Sequence, residues 1–481
     1  MAKHTSVDIN ERGAIEHATG QDEIQSREGF VDRPESIWSI YLRRFKKHRL
    51  GKIGLGLLIF FYLLAILADF LAPYDMTWTD KGKAYHPPAT IYFMWDGPDG
   101  RVFRPYVFEQ RKVNEARRIY GVVPERTMRV VTIETFPGEK EMRSIAMQSN
   151  VVERREQLLA DTADHYDLDL DSPEIARLED AIREVEASEN PDEQVRFLLG
   201  TRVREGREIP LELWISKGNK NFLSFFAEGV PYRFLGLFAT NTHFLTSPTG
   251  GYFFWGSDHL GRDILSRLLH GARISLSVGL VGAAITFFLG LMIGGVAGYA
   301  GGKVDNVLMR IAEVVISFPS LYLLLTLRAA FPPSLTSVQV YLLIVIILSG
   351  VGWASLARII RGLVLSIKSE DYVMSARTMG LSHLKVITRH VLPNTFSFVI
   401  IQITLTIPGY ILGESALSLL GLGITEPQSS WGLMLSAARQ IRVVRDFPWI
   451  LIPGFLIFLA ILAWNFFGDG IRDSVDPKSK H

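Results

Sequence analysis

Few side chains in this sequence have the type and spacing that chemistry requires. Asp258, His259 and Asp263 stand close together and could ligate a metal ion. No further ligand group follows at a suitable spacing, and carboxylates so near an apolar run commonly cap a helix or form ion pairs. We therefore predict capping and surface ion pairs at these residues, and no metal site.

Three polar residues lie within or beside long apolar runs, where a polar group is costly unless it has a partner. Glu414 follows one run and opens a Gly-punctuated stretch that is too short to span a membrane. Its carboxylate could line the outer mouth of a path through the membrane, or it could pair with other groups of this chain. Glu313 and Gln402 are further candidates for such a path, although Glu313 could simply pair with Arg310.

Signatures of the common catalytic and nucleotide-binding sites do not occur in the sequence. Gly301-Gly302-Lys303 lacks the upstream glycine and the hydroxyl residue of a phosphate-binding loop, and there is no Gly-x-Ser-x-Gly or His-Glu-x-x-His pattern. The 481 residues include no cysteine, which excludes disulfides and thiol chemistry. The net charge of +1 gives no general attraction to nucleic acid. We expect no enzymatic activity, no cofactor bound by this chain and no nucleic-acid partner.

The elements that must position the polar groups are long and apolar. Six apolar runs predict six membrane-spanning helices, because a bilayer needs about 20 such residues and buried helices of soluble proteins seldom lack charge for so long. The runs cover residues 53–73, 274–300, 311–330, 338–357, 395–412 and 449–467. The fold class that we predict is an α-helical polytopic membrane protein.

Basic residues beside these runs predict the orientation. Six basic residues lie just before the first run, which favours a cytoplasmic N-terminus: Arg43, Arg44, Lys46, Lys47, Arg49 and Lys52. Alternation then puts residues 358–389 and the C-terminus in the cytoplasm. The loop 414–448 falls outside although it carries several arginines, and it is the one discordant loop. The polar first 40 residues have no cleaved-signal pattern, so we expect the first run to be an uncleaved anchor.

The polar block between the first two runs predicts a soluble α+β domain on the outer side. Alternating apolar residues in 128–134 and 209–215 are typical of strands. Pro173 suits the first turn of a helix, on which Glu179 and Arg183 would pair four residues apart. The apolar face of this helix would consist of Ile175, Leu178, Ile182 and Val185.

The residues just before the second run predict a separate interfacial helix. Ser257 could cap it, and Leu260, Ile264, Leu268 and Leu269 would lie on its membrane face.

The predicted divisions of the chain are a tail and basic flank (1–50), a first transmembrane helix (51–74), the extracytoplasmic insertion (75–256), the interfacial helix (257–273), a five-helix core (274–470) that includes a cytoplasmic loop (365–393), and a cytoplasmic tail (471–481).

A row of small residues runs along the second predicted span. Gly290, Gly294 and Gly298 recur at four-residue intervals, and such a seam lets another helix approach closely in lipid. The neighbouring helix could belong to this chain, or to a partner membrane protein that faces it across a path through the membrane.

The 365–393 loop is a charged segment between two apolar spans. Helix formers run through Ser375-Ala376-Arg377, Gly380 breaks the helix, and a second amphipathic piece with Leu384 and Val391 on one face should end at Pro393. Two short helices joined by a glycine bend would form a docking knob on the cytoplasmic side.

The spacing of Ala376, Gly380 and Leu392-Pro393 resembles the "EAA" coupling loop of bacterial ATP-binding-cassette (ABC) importer permeases. The wider sequence is similar to the DppC/OppC-type subunit of dipeptide and oligopeptide importers. The motifs that carry this resemblance lie at 256–267, 271–275, 301–305, 317–319, 389–394, 418–423, 431–432, 468–473 and 476–477.

The resemblance implies a six-helix ABC importer permease core that moves peptides by alternating access in the bacterial cytoplasmic (inner) membrane. It implies a heterodimer with a second homologous permease subunit, two cytoplasmic ATPase subunits that bind ATP and Mg, and an extracytoplasmic substrate-binding protein. The residues that it assigns to ATPase coupling are Tyr372, Met374, Ser375, Ala376, Arg377, Gly380, Leu384, Leu392 and Pro393.

Two departures from the family pattern stand out. Met374 occupies the position of the acidic residue that names the coupling loop, so that one contact does not carry over. The first outer loop is far longer than is usual in the family. Nickel, opine or sugar substrates remain open within the importer class, and a membrane-anchored binding or scaffold protein is a more distant alternative.

Overall fold

The computed structural model describes residues 37–475 with short gaps at 98–99, 115–117, 123–127, 137–141, 145–149, 153–158, 161–162, 164–168, 188–193, 205–206, 218–219, 235, 248–251 and 333. Its helices are α1 Ile37–Lys47, α2 Arg49–Ile66, α3 Ala68–Leu71, α4 Pro173–Ala187, α5 Ile264–Ala300, α6 Gly302–Ser317, α7 Ser320–Ala329, α8 Ser337–Ile367, α9 Asp371–Thr378, α10 His383–Val386, α11 Leu392–Leu419, α12 Trp431–Leu435, α13 Ile441–Asp446 and α14 Ile452–Val475. A π-helical turn, Ile387–Val391, joins α10 to α11, and short 3₁₀ turns cover Lys81–Lys83, Ser436–Arg439 and Pro448–Leu451.

Five helical segments among the described residues are long and apolar enough to cross a membrane, and a sixth is a bent pair. The five include α2, α5, α8 and the continuous stretches His383–Leu419 and Pro448–Val475. The pair is α6 and α7, whose axes differ by 90°. The predicted helical polytopic fold with an inserted domain is confirmed.

The predicted third span, 311–330, is not a single straight helix. Phe318 adopts an extended conformation with ψ of 134°, and Pro319 follows it. A proline disfavours helical geometry in the residue before it, so α6 ends at Ser317 and α7 starts in a new direction.

Helix α5 lies at the centre of the core and packs against α2, α8 and α11. Its glycine seam faces α8 within the same chain: a Cβ added at Gly294 would lie 2.4 Å from the carbonyl oxygen of Ala357. At Gly298 an added Cβ would lie 2.8 Å from the carbonyl oxygen of Arg361. The seam is therefore filled by internal packing, and the interpretation as a contact with a second permease is wrong for this face.

The predicted separate interfacial helix over 257–273 is also wrong. Gly256 and Gly261 have φ of +83° and +78°, which a helix cannot include, and Asp263, not Ser257, caps α5. Of the four residues predicted for its membrane face, Ile264, Leu268 and Leu269 are buried against protein, and only Leu260 is exposed. At 37 residues α5 is about 55 Å long, so one helix crosses the bilayer and projects beyond it.

The inserted domain contains the strands. They are β1 Tyr92–Gly97, β2 Gly100–Phe108, β3 Gln110–Asn114, β4 Ile119–Val122, β5 Met128–Phe136, β6 Met142–Ser144, β7 Asn150–Val152, β8 Gln194–Arg204, β9 Arg207–Lys217, β10 Lys220–Phe222, β11 Ser224–Phe234 and β12 Phe238–Thr246. The largest sheet is antiparallel, with the order β6-β5-β9-β8 and with β7 also paired to β5. Smaller antiparallel groups are β1-β2-β10, β3-β4 and β11-β12.

The strand and helix predictions for this domain are confirmed. β5 and β9 contain the two alternating segments, and they pair with Val131 opposite Trp214. α4 begins at the predicted Pro173, and Glu179 accepts a hydrogen bond from Arg183 at 2.9 Å. Its four predicted apolar residues are buried, because the helix packs against β8 and β9.

Candidate functional site

The 365–393 loop is built on a glycine-terminated helix. Gly380 has φ of +80°, and its N–H donates to the carbonyl oxygen of Arg377. The N–H of Leu381 donates to the carbonyl oxygen of Ala376 at 3.3 Å. This pair of hydrogen bonds is the Schellman ending of a helix, which strongly favours glycine at the left-handed position. The predicted glycine bend is confirmed.

The helix α9 has an inner and an outer face. Val373 and Ala376 are buried, and Val373 packs in a cluster with side chains of α8 and α11. Met379 and Leu384 are 74% and 71% exposed, and Met374 is about half exposed. Tyr372, Ser375 and Arg377 are also on the outer face. Ala376 thus positions the helix from within, and the exposed apolar residues are the ones that can meet another protein.

The second half of the loop differs from its prediction in two ways. Leu384 points outward while Val391 is buried, so the two do not share an apolar face. The segment does not end at Pro393 either, because the π-helical turn runs on into α11, with Pro393 in its first turn. A proline is tolerated there since the first N–H groups of a helix have no internal acceptor. Leu392 is half buried and packs within the core.

Polar contacts tie this loop to the membrane helices. Tyr299 Oη at the end of α5 lies 3.0 Å from His383 Nδ1 in α10. Lys368 Nζ donates to the carbonyl oxygen of Gly298 at 2.9 Å. In α8, just before the loop, Arg361 pairs with Asp305 of α6 at 2.6 Å. A force on the loop would therefore reach α5, α6 and α8 through short contacts.

Glu414 lies inside α11, fully buried, and not in a re-entrant stretch after it. Its Oε1 accepts from Ser418 Oγ at 2.7 Å, and its Oε2 lies 3.4 Å from the hydroxyls of Ser275 and Ser415. The carboxyl group is thus surrounded by three serine hydroxyls, and its contact with Ser275 connects α11 to α5. The structure therefore supports the internal-pairing interpretation rather than a lining of the outer mouth.

The other two path candidates are nearer the surface. Glu313 is exposed on α6 and pairs with Arg310 at 3.0 Å, as the simpler interpretation predicted. Gln402 is half buried on α11. The structure brings neither of them close to Glu414, and they do not form one site.

An ion-pair network at the end of the helical core that adjoins the insertion was not predicted as such. Arg262 pairs with Asp258 at 2.7 Å and with Glu426 at 2.8 Å, and Arg267 also reaches Glu426 at 3.1 Å. It joins the turn before α5 to the loop after α11. Asp258 thus forms an ion pair and Asp263 caps α5, as predicted, but the pair of Asp258 is buried and not on the surface as expected. Burial raises the pKa of Asp263 to about 7.

A cleft of about 800 Å³ lies between the insertion and the 440–449 segment. The Tyr85 ring stacks on Phe447 at 4.2 Å, and the Arg118 guanidinium lies 4.6 Å above the Tyr85 ring. Arg442 and Arg445 line the cleft as well. Tyr85 and Arg118 have φ of +57° and +50°, a strained geometry for such residues that is often found at functional sites.

Two family comparisons match separate parts of the chain. Residues 36–88 match the N-terminal TM domain of oligopeptide transport permease C, and residues 290–481 match the family described as "binding-protein-dependent transport system inner membrane component". The dipeptide transport system permease protein DppC of Bacillus subtilis is 42% identical over 231 residues, which are 48% of this chain and 70% of that protein.

This chain belongs to the DppC/OppC-type permease family. The oligopeptide transport system permease protein OppC of Haemophilus influenzae is likewise 42% identical, over 48% of this chain and 72% of its own length. OppC of Escherichia coli K12 is 40% identical and is covered over 74% of its length. All the strands in the part of the chain that the structure describes lie between residues 88 and 290, outside both family matches.

Proposed function

We propose that this permease is one subunit of an ATP-driven importer that moves dipeptides or oligopeptides across the bacterial cytoplasmic membrane. The names of its relatives support a peptide substrate. The basic residues beside α2 and within the 365–393 loop support cytoplasmic termini and a cytoplasmic loop.

The proposed complex holds a second homologous permease, two ATPase subunits that bind ATP and Mg, and an extracytoplasmic binding protein. ATP binding closes the ATPases, and the 365–393 loop moves with them. The contacts of His383, Lys368 and Arg361 then carry that motion to the membrane helices. Coupling requires only that the ATPases bind the two states of the permease with different free energy.

The observation that carries this proposal is the exposed apolar outer face of the 365–393 loop. Hydrophobic surface is presented by Met374 in α9, Met379 at its end and Leu384 in α10. The other face of α9 is fixed in the core through Val373. Exposed apolar side chains grouped at one end of a molecule commonly mark a protein interface. An ATPase groove would bury them.

The outer cleft is the proposed contact for the binding protein. Arg118, Arg442 and Arg445 make its rim basic, since Asp446 is the one acidic residue among the described residues that line it. An acidic surface on the binding protein would complement this charge and speed its association.

Replacing both Met379 and Leu384 with Glu tests the ATPase contact. We expect the double variant to reach the membrane but to lose co-purification of the ATPase subunits and substrate-stimulated ATP hydrolysis. The matched control is Leu170→Glu in the insertion, where a leucine is 60% exposed and far from the loop in sequence. Normal co-purification and coupling in the double variant would show that the ATPases dock elsewhere.

A further inference from the structure

One face of α2 is turned away from the helical core. Ile59, Leu63 and Ile66 follow at intervals of four and three residues and are each about half exposed. The opposite face, with Gly54 and Phe61, is buried. In a bilayer the exposed stripe is the lipid-facing side of the first span.

The outer boundary of the hydrocarbon can be placed along this helix. Counting about 20 residues from Ile53, which follows the basic flank, leads to Ala72. Asp69 pairs with Arg273 at 2.7 Å and approaches His270 at 3.1 Å at this level, as suits polar groups at an interface. Phe70, one residue further along α3, thus lies at the membrane surface.

The β11–β12 hairpin of the insertion is fastened at this same level. His243 Nδ1 lies 2.7 Å from the carbonyl oxygen of Ala72. The rings of Phe226 and Phe244 both have centroids 6.1 Å from that of Phe70. Phe225 contacts Phe244 at 5.7 Å, so the hairpin contributes a group of three rings.

These rings are directed outward rather than into the domain. Phe226 is 65% exposed, and Phe225 and Phe244 are about 40% exposed. Phe226 also has φ of +51°, a conformation that a bulky residue adopts only at some cost. Phenylalanine is one of the apolar residues that interfacial segments bury at the boundary between headgroups and acyl chains, and these exposed rings lie at that level beside the lipid-facing side of the first span.

We propose that the β11–β12 hairpin is a membrane anchor, with Phe225, Phe226 and Phe244 inserted into the lipid interface beside Phe70. The insertion would then rest on the bilayer next to the first span, which limits its motion relative to the helical core. A second permease subunit could in principle cover the same rings, and the experiment separates these two occupants.

Because the chain has no cysteine, a single introduced cysteine can carry a spin label without background. We would label Phe226→Cys in the assembled importer in phospholipid vesicles and compare its collisions with oxygen, which concentrates in lipid, and with a water-soluble nickel chelate. The control is Leu170→Cys in the same domain. We expect oxygen collisions to exceed nickel collisions several-fold at position 226, and the reverse at position 170.

Two results would overturn the anchor. Nickel accessibility at position 226 equal to that at position 170 would place the rings in water, whereas low accessibility to both reagents would mean that protein covers them. Phe225→Cys is a second labelling site, in case the strained backbone at Phe226 does not tolerate substitution, and we expect the same lipid signature from it.

Discussion

The role of Glu414 depends on its neighbours rather than on its own charge. A carboxyl group in an apolar helix is costly unless its oxygens are satisfied, and here three serine hydroxyls surround them. Two of the same hydroxyls also accept from backbone N–H groups: Ser275 from Trp431 and Ser418 from Ile424. Glu414 therefore holds the loop after α11 in place.

We predict that Glu414→Gln retains uptake, because the amide keeps the shape and can still bond the serines. Glu414→Ala should instead lower the yield of assembled complex and its melting temperature, since it leaves buried hydroxyls unpaired at a cost of about 1–3 kcal/mol. Uptake and thermal stability of the two variants, purified in parallel, provide the measurement. A Gln variant that assembles fully but no longer transports would restore the path hypothesis.

Pairs of residues were predictable when they were close in sequence. Arg310 and Glu313 are one helical turn apart, and their ion pair follows from local spacing. Arg267 and Glu426 are far apart in the sequence, as are Glu414 and Ser275, so only the folded chain brings them together. The stack of Arg118 on Tyr85 was unpredictable for the same reason.

Elements were predicted well where periodicity was long and poorly where one residue decided the boundary. Alternation identified β5 and β9, and a repeated apolar face identified α4. The start of α5 was misplaced because Ser257 looks like a cap, yet its hydroxyl accepts instead from the N–H of His86. The sequence likewise did not show which proline interrupts a helix. α6 ends just before Pro319, whereas Pro393 lies in the first turn of α11.

At the scale of elements, we predict that Gly294→Ala forces α5 and α8 apart. The new methyl group would lie 2.4 Å from the Ala357 carbonyl oxygen, which belongs to rigid backbone, and overpacking of this kind costs about 1–3 kcal/mol. Gly56→Ala in α2 is the control, because a Cβ there meets nothing within 4 Å. The melting temperature of the purified permease should fall for the first variant alone. Equal values for both would contradict the close packing of this seam.

At the scale of the whole molecule, the insertion is attached to the permease by a compact junction. Lys83 and Glu109 form a buried ion pair at 2.7 Å, and Glu109 also accepts from Asn221 at 2.6 Å. Tyr74 donates to the carbonyl oxygen of Tyr252 at 3.0 Å. Removing one partner of such a pair would leave a buried charge, so a useful truncation must spare this junction.

The strand pairing shows where the large sheet can be removed. Val122 pairs with Gln110 and Lys220 pairs with Phe108, so the chain ends at 122 and 220 lie within about 18 Å of each other. A linker of about eight Gly and Ser residues in place of 123–219 spans that distance. It deletes β5 to β9 and α4 while keeping the junction and the outer cleft.

We predict that this shortened permease still assembles but binds its binding protein about tenfold more weakly, a loss of about 1.4 kcal/mol, and imports more slowly. The reason is that a domain tethered to the permease at both ends stays close to the outer mouth, where the proposed binding protein would dock. Docking is measured by titration of the reconstituted complex. Glu179→Gln, which removes the charge that pairs with Arg183 on α4 and leaves the sheet in place, is the control. Full docking and full uptake without the sheet would mean that this part of the insertion is a tolerated addition with no role in transport, since external loops accept insertions at small entropic cost.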